Sequence, residues 1–122
     1  MIITKTQSLS SGKIRIRLGN TVPHSIGLQA IGFPVTNKTI DVICPQIDSN
    51  IYNRKRLLRR ILFGSVNKNA KYGIDTIFQE FIHVIYENID SKDKFIDLKF
   101  IDEEDNLFTS SKNVTLMLSI KN

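Results

Sequence analysis

The chain has no tryptophan, one cysteine, two histidines and three prolines, and each scarcity removes a class of function. A lone thiol, Cys44, cannot close an intrachain disulfide, so a reducing compartment, the cytoplasm, is the expectation. Without tryptophan there is little material for a base-stacking platform, and no RNP-like or Gly-x-x-Gly motif appears. His24 and His83 have no His or Cys partner at ligand spacing, which argues for no metal and no cofactor. No base is apparent for Cys44, and the serines lack a Gly-x-Ser-x-Gly elbow. Walker and dinucleotide fingerprints are missing too, so the expectation is a non-enzymatic protein. No apolar run approaches the ~20 residues that span a bilayer, and the first residues do not read as a signal peptide, so no membrane partner is expected.

What is present is an ordinary globular composition, 41% hydrophobic and 24% charged over 122 residues, which fits one domain. Isoleucine, lysine and asparagine number 19, 11 and 10, a bias that accompanies AT-rich coding and suits a bacterium, a phage or other mobile element, or an organelle. The net charge of +5 is unevenly spread. Residues 1–65 hold ten Lys/Arg against two Asp, and residues 66–122 hold seven Lys against ten Asp/Glu. All six arginines lie in the first part.

The densest cationic stretch runs from Asn53 to Leu62 and contains Arg54, Lys55, Arg56, Arg59 and Arg60. Wound as a helix, it would gather those cations on one face and Leu57, Leu58, Ile61 and Leu62 on the other, with Gly64 as a C-terminal cap. A second helix is expected over Asp75 to Ile89, where Ile77, Phe78, Phe81, Ile82, Ile85 and Ile89 follow helical spacing and Thr76 with Gln79 fits a capping box.

Strands are expected where residues alternate: Lys13 to Leu18, Lys38 to Cys44, Phe95 to Ile101, and a last strand carrying Val114, Leu116, Leu118 and Ile120 inward. Ser25 to Phe33 is a further strand candidate, interrupted by Gly27 and Gly32, which allow a bulge, and ended by Pro34. Residues 6–12 read as a loop within a mobile N-terminal segment, 1–12, and Asp102 to Asp105 as an acidic hairpin tip joining the last two strands. The fold class is then α+β, a single domain in the order β-β-β-α-α-β-β, with a mostly antiparallel sheet and two helices packed on one face.

Three functions follow, in order of preference. The first is a non-catalytic binding protein capturing an acidic partner (nucleic acid, a phosphate-bearing ligand or an acidic protein surface). It would use Arg54, Lys55, Arg56, Arg59 and Arg60, extended by Arg15 and Arg17. The second is a structural subunit of a homo-oligomer, a ring, virion or tail component, held by its oppositely charged halves. The third is a metal-dependent nuclease built on Asp97-Leu98-Lys99, with Asp41 as a second carboxylate.

Overall fold

The computed structural model describes residues 1–20, 22–48, 51–52, 55–62, 71–72, 76–90 and 94–122. Among them there is no helix. The strands are β1 (Ile2–Ser8), β2 (Lys13–Arg17), β3 (Ser25–Pro34), β4 (Thr39–Ile43), β5 (Ile51–Tyr52), β6 (Lys55–Leu62), β7 (Lys71–Tyr72), β8 (Thr76–Glu80), β9 (Glu87–Asn88), β10 (Phe95–Asp102) and β11 (Asn113–Lys121). The protein is therefore all-β, and the α+β expectation is overturned.

Among the described residues neither expected helix forms, for identifiable reasons. Eight of the eleven residues from 76 to 86 are β-branched or aromatic (Thr76, Ile77, Phe78, Phe81, Ile82, Val84, Ile85, Tyr86), types that lose rotamer freedom in a helix and pack well on a pleated surface. β8 pairs with β3 through Ile77↔Phe33 and Gln79↔Ile31. The chain then leaves the ladder and rejoins it at β9, opposite Ser25 and Ile26 of the same strand. Of the supposed helical stripe, Ile77 and Phe81 are buried, but Ile82 is 94% and Ile85 50% exposed.

In β6 the paired spacing Leu57-Leu58, Arg59-Arg60 looks helical because the ladder slips. Leu57 lies opposite Ile43 and Arg59 opposite Val42, so Leu58 is an extra residue in a bulge. One inserted residue turns a period of two into doublets. Among the described residues, Thr6 to Ser8, part of the expected loop, belong to β1, and the turn itself is confined to Leu9 to Gly12. Gly12 closes it with φ +69° and an N–H bond to the Leu9 carbonyl at 3.0 Å.

The strands make two antiparallel sheets. The first has the order β1-β11-β3-β8-β7, with β9 also on β3, and the second β2-β10-β4-β6-β5. β10 and β11, expected to pair, lie in different sheets: β10 between β2 and β4, β11 between β1 and β3. With the two-residue strands set aside, β1-β11-β3-β8 faces β2-β10-β4-β6, and every connection crosses between sheets except that from β4 to β6. That is the strand order of a jelly roll.

The inner faces interleave Ile14, Ile16, Ile40, Val42, Leu58, Ile61, Ile96, Leu98 and Phe100 from the second sheet with Ile26, Leu28, Ile31, Phe33, Ile77, Val114, Leu116 and Leu118 from the first. Phe33 joins the layers, its ring 5.7 Å from that of Phe100 and 5.2 Å from that of Phe108. Each such side chain contributes about 1.5–3 kcal/mol by leaving water.

Candidate functional site

The cations singled out in the sequence do not share one surface. β2 and β6 belong to one sheet but are separated by β10 and β4, about 14 Å at ~4.8 Å per strand. Arg15, Arg17 and Arg60 point from the outer face of that sheet, whereas Arg59 follows Ile61 on the inner side. Arg54 lies outside the described residues.

Most of these cations are already engaged. Arg60 donates to both carboxylate oxygens of Asp41, at 2.7 and 2.9 Å, as its cross-strand neighbour. Arg15 does the same to Asp97, at 2.8 and 3.3 Å, and stacks 3.9 Å over the Phe95 ring. Lys55 pairs with Asp105, and Lys38 with Asp102 at 3.2 Å. Three of these four pairs join the cationic part of the chain to its acidic part. Arg59 reaches across the open side of the sandwich, donating to the His83 carbonyl at 3.0 Å and lying 4.1 Å over the Phe81 ring. Its burial lowers its pKa. Arg17, opposite Phe95, and Arg56, opposite Ile51, make no ion pair among the described residues. The helical basis of the polyanion reading is therefore gone, and most of its described cations hold the fold.

The nuclease pair is also separated. Asp41 lies opposite Ile101 on β10, four residues from Asp97, about 13 Å along the strand. Both carboxylates are held by arginines. Among the described residues no three His, Cys, Asp or Glu side chains come together in a way that could hold a metal ion. Cys44 is buried, which pushes its thiol up to about 11.

The acidic tip is a built turn. The Asp102 carboxylate accepts from the Glu104 and Asn106 N–H groups at 3.0 and 2.9 Å, and Asp105 adopts φ 66°. The Asn106 and Glu104 N–H groups and Lys38 hold Asp102 below the usual carboxylate range, against the opposing pull of its burial. An open cavity of about 480 Å³ lies at one end of the sandwich, with His24, Asp48, Asn88 and Asn122 in its walls.

What sequence reasoning missed is a difference between the two outer faces. On the second sheet the alternation places Lys13, Arg15, Arg17, Asp41, Arg60, Asp97 and Lys99 outward. On the first, β1 contributes Ile2, Thr4 and Thr6, and β11 Thr115, Met117 and Ser119. β3 adds Gly27, Ala30 and Gly32, and β8 Thr76 and Phe78. The only charges that β1, β11, β3 and β8 bring to this face are Glu80 and Lys121, at its margins. At one end it is crossed by residues 82–86, where the Tyr86 hydroxyl bonds Ser119 at 2.6 Å and Lys121 lies 4.0 Å over the Tyr86 ring. The signal was in the sequence as the uncharged alternate positions of β1, β3 and β11, but which strands are neighbours was needed to read it.

Compared with known proteins, the chain matches no family model, no curated protein and no solved structure. Among the described residues no helix is long and apolar enough to cross a membrane.

Proposed function

We propose that this protein is a structural subunit that assembles with copies of itself through the outer face of its first sheet. The observation that supports this reading is the segregation of charge. In a chain that is 24% charged, one sheet turns seven charged side chains outward, while the other carries Ile2, Thr4, Thr6, Thr115, Met117 and Phe78. Depletion of charge is the compositional mark of an interface core. The jelly roll is used by viral capsid proteins as well as by lectins and cupins. Fold alone does not choose among them, but here the space between the sheets is filled by side chains, which favours a building block over a container.

The charge-complementary version of assembly is less well supported, because the opposite charges are already paired within one chain. The two versions differ in their response to salt. Assembly through an uncharged face persists at high ionic strength, whereas assembly through charged halves loosens. Sedimentation equilibrium across protein and salt concentrations separates them. Met117→Lys is expected to dissociate the oligomer, and Lys99→Glu, on the opposite face, to leave it intact. A strict monomer at high protein concentration would sink the proposal.

A further inference from the structure

The geometry points to the edge of β1 that pairs with no described strand as a strand-pairing site for β1 of a second copy, in an antiparallel two-fold arrangement that joins two first sheets into one. The inference rests on the assembly reading and adds to it a second contact, along the edge of the sheet and not over its face. Met1 and Ile120 exchange both backbone hydrogen bonds, N–H(120) to O(1) at 2.8 Å and N(1) to O(120) at 3.3 Å. Leu9 N–H reaches Lys112 O at 3.1 Å. Antiparallel ladders alternate, so the odd residues of β1 face β11. The N–H and C=O groups of Ile2, Thr4, Thr6 and Ser8 then point away from the sheet.

The register of β1 with β11 runs unbroken from Ile2 to Ser8, and β1 holds no proline or glycine. Its single charge, Lys5, lies opposite Leu116 on the inward row and is the one feature of β1 that discourages pairing at this edge. The corresponding edge of the other sheet, β2, instead presents Lys13, Arg15 and Arg17. The sequence of β1 also selects the register. A two-fold axis at Lys5 would set two like charges directly opposite, which is unfavourable. An axis at Thr6 would place there a hydroxyl already bonded to Thr115 at 3.0 Å. An axis at Thr4 sets Thr4 against its own copy, Ile3 against the partner's Lys5 and Ile2 against the partner's Thr6. This keeps the uncharged outer face continuous across the junction and covers Ile2, which is 47% exposed in the single chain.

Cysteine cross-linking reads this register directly. Residues facing each other in a hydrogen-bonded antiparallel pair have Cα atoms about 5.5 Å apart, within disulfide range. Cys44 is buried and does not compete. Under mild oxidation Thr4→Cys is expected to form a covalent dimer quickly. Thr6→Cys, about 13 Å from its own copy in this register, is expected not to. Thr4→Pro removes an N–H that points away from β11 and should weaken self-association at least ten-fold while leaving the circular dichroism spectrum and cooperative melting in place. Cross-linking of Thr6→Cys as fast as Thr4→Cys, or wild-type association of Thr4→Pro, overturns the edge. If Thr4→Pro does not fold, the cross-linking pair decides. A wild-type oligomer that Met117→Lys breaks and Thr4→Pro does not touch removes the edge and leaves the assembly reading. A wild-type monomer removes both.

Discussion

The guanidinium of Arg59 lies 4.1 Å above the ring of Phe81, joining β6 of one sheet to the segment that follows β8 in the other. The same group donates to the His83 carbonyl at 3.0 Å. Arginine suits this place because its flat cation can stack and donate at once. Arg59→Lys keeps the charge and loses the stack and the fixed fork. It is expected to cost about 1–2 kcal/mol, read as a lower urea midpoint with an unchanged slope. Wild-type stability in that variant would show that the contact contributes nothing.

Two glycines of β3 offer a paired test. A Cβ on Gly27 would sit 2.5 Å from the Ile85 carbonyl oxygen and 2.5 Å from a Val84 methyl, so Gly27→Ala must push the 82–86 crossing off the sheet. The expected loss is about 1–3 kcal/mol, as for overpacking. At Gly32 the nearest atom is 3.6 Å away, so Gly32→Ala fits and is expected to be neutral or to gain up to about 1 kcal/mol by restricting the unfolded chain. Thermal melting of the two variants side by side decides.

Acid should act through Asp102. Its carboxyl is held low in the fold by the Asn106 and Glu104 N–H groups and by Lys38. A group with a depressed folded pKa contributes fully above its unfolded value, near pH 4, and loses that contribution as pH falls through the folded value. Asp102→Asn is therefore expected to be less stable than wild type at neutral pH and to converge on it below about pH 4. Urea denaturation across pH tests this; a constant difference at all pH values would contradict it.

Cys44 should be unreactive in the native state. Burial raises its thiol to about 11, so little thiolate exists at pH 8. Ellman's reagent is expected to label it only after denaturant is added, and rapid native labelling would mean that the end of β4 opens readily.

Four strands were legible from alternation, at Lys13, Thr39, Phe95 and Asn113 onward, because a half-buried strand writes its inward face into every second residue. β3, buried on both faces, carries no such alternation and was bounded only by Pro34. The apolar positions of the expected strands, Ile14, Ile16, Leu18, Ile40, Val42, Ile96, Leu98, Leu116 and Leu118, are buried, and so are Leu57, Leu58, Ile61, Ile77 and Phe81 from the two expected helices. Phe78 and Ile85, chosen on helical spacing, are not among the buried residues. The candidate cations were visible as a cluster in sequence, but Asp41 and Asp97, which hold Arg60 and Arg15, lie 19 and 82 residues away along the chain and could not be assigned to them.

The sequence by itself determined which side faces inward in β2, β4, β10 and β11, where every second residue is apolar. Only the tertiary structure decided that Leu57-Leu58-Arg59-Arg60 is a strand, since a single bulge against β4 imitates helical doublets. It alone decided that β8 and β9 both pair with β3, since residues of that kind pair wherever a long partner strand is available. It also decided that β10 and β11 part into different sheets and that the uncharged residues of β1, β3, β8 and β11 form one face. Those outcomes depend on pairings between distant residues, whose energy belongs to both partners and is written in neither segment.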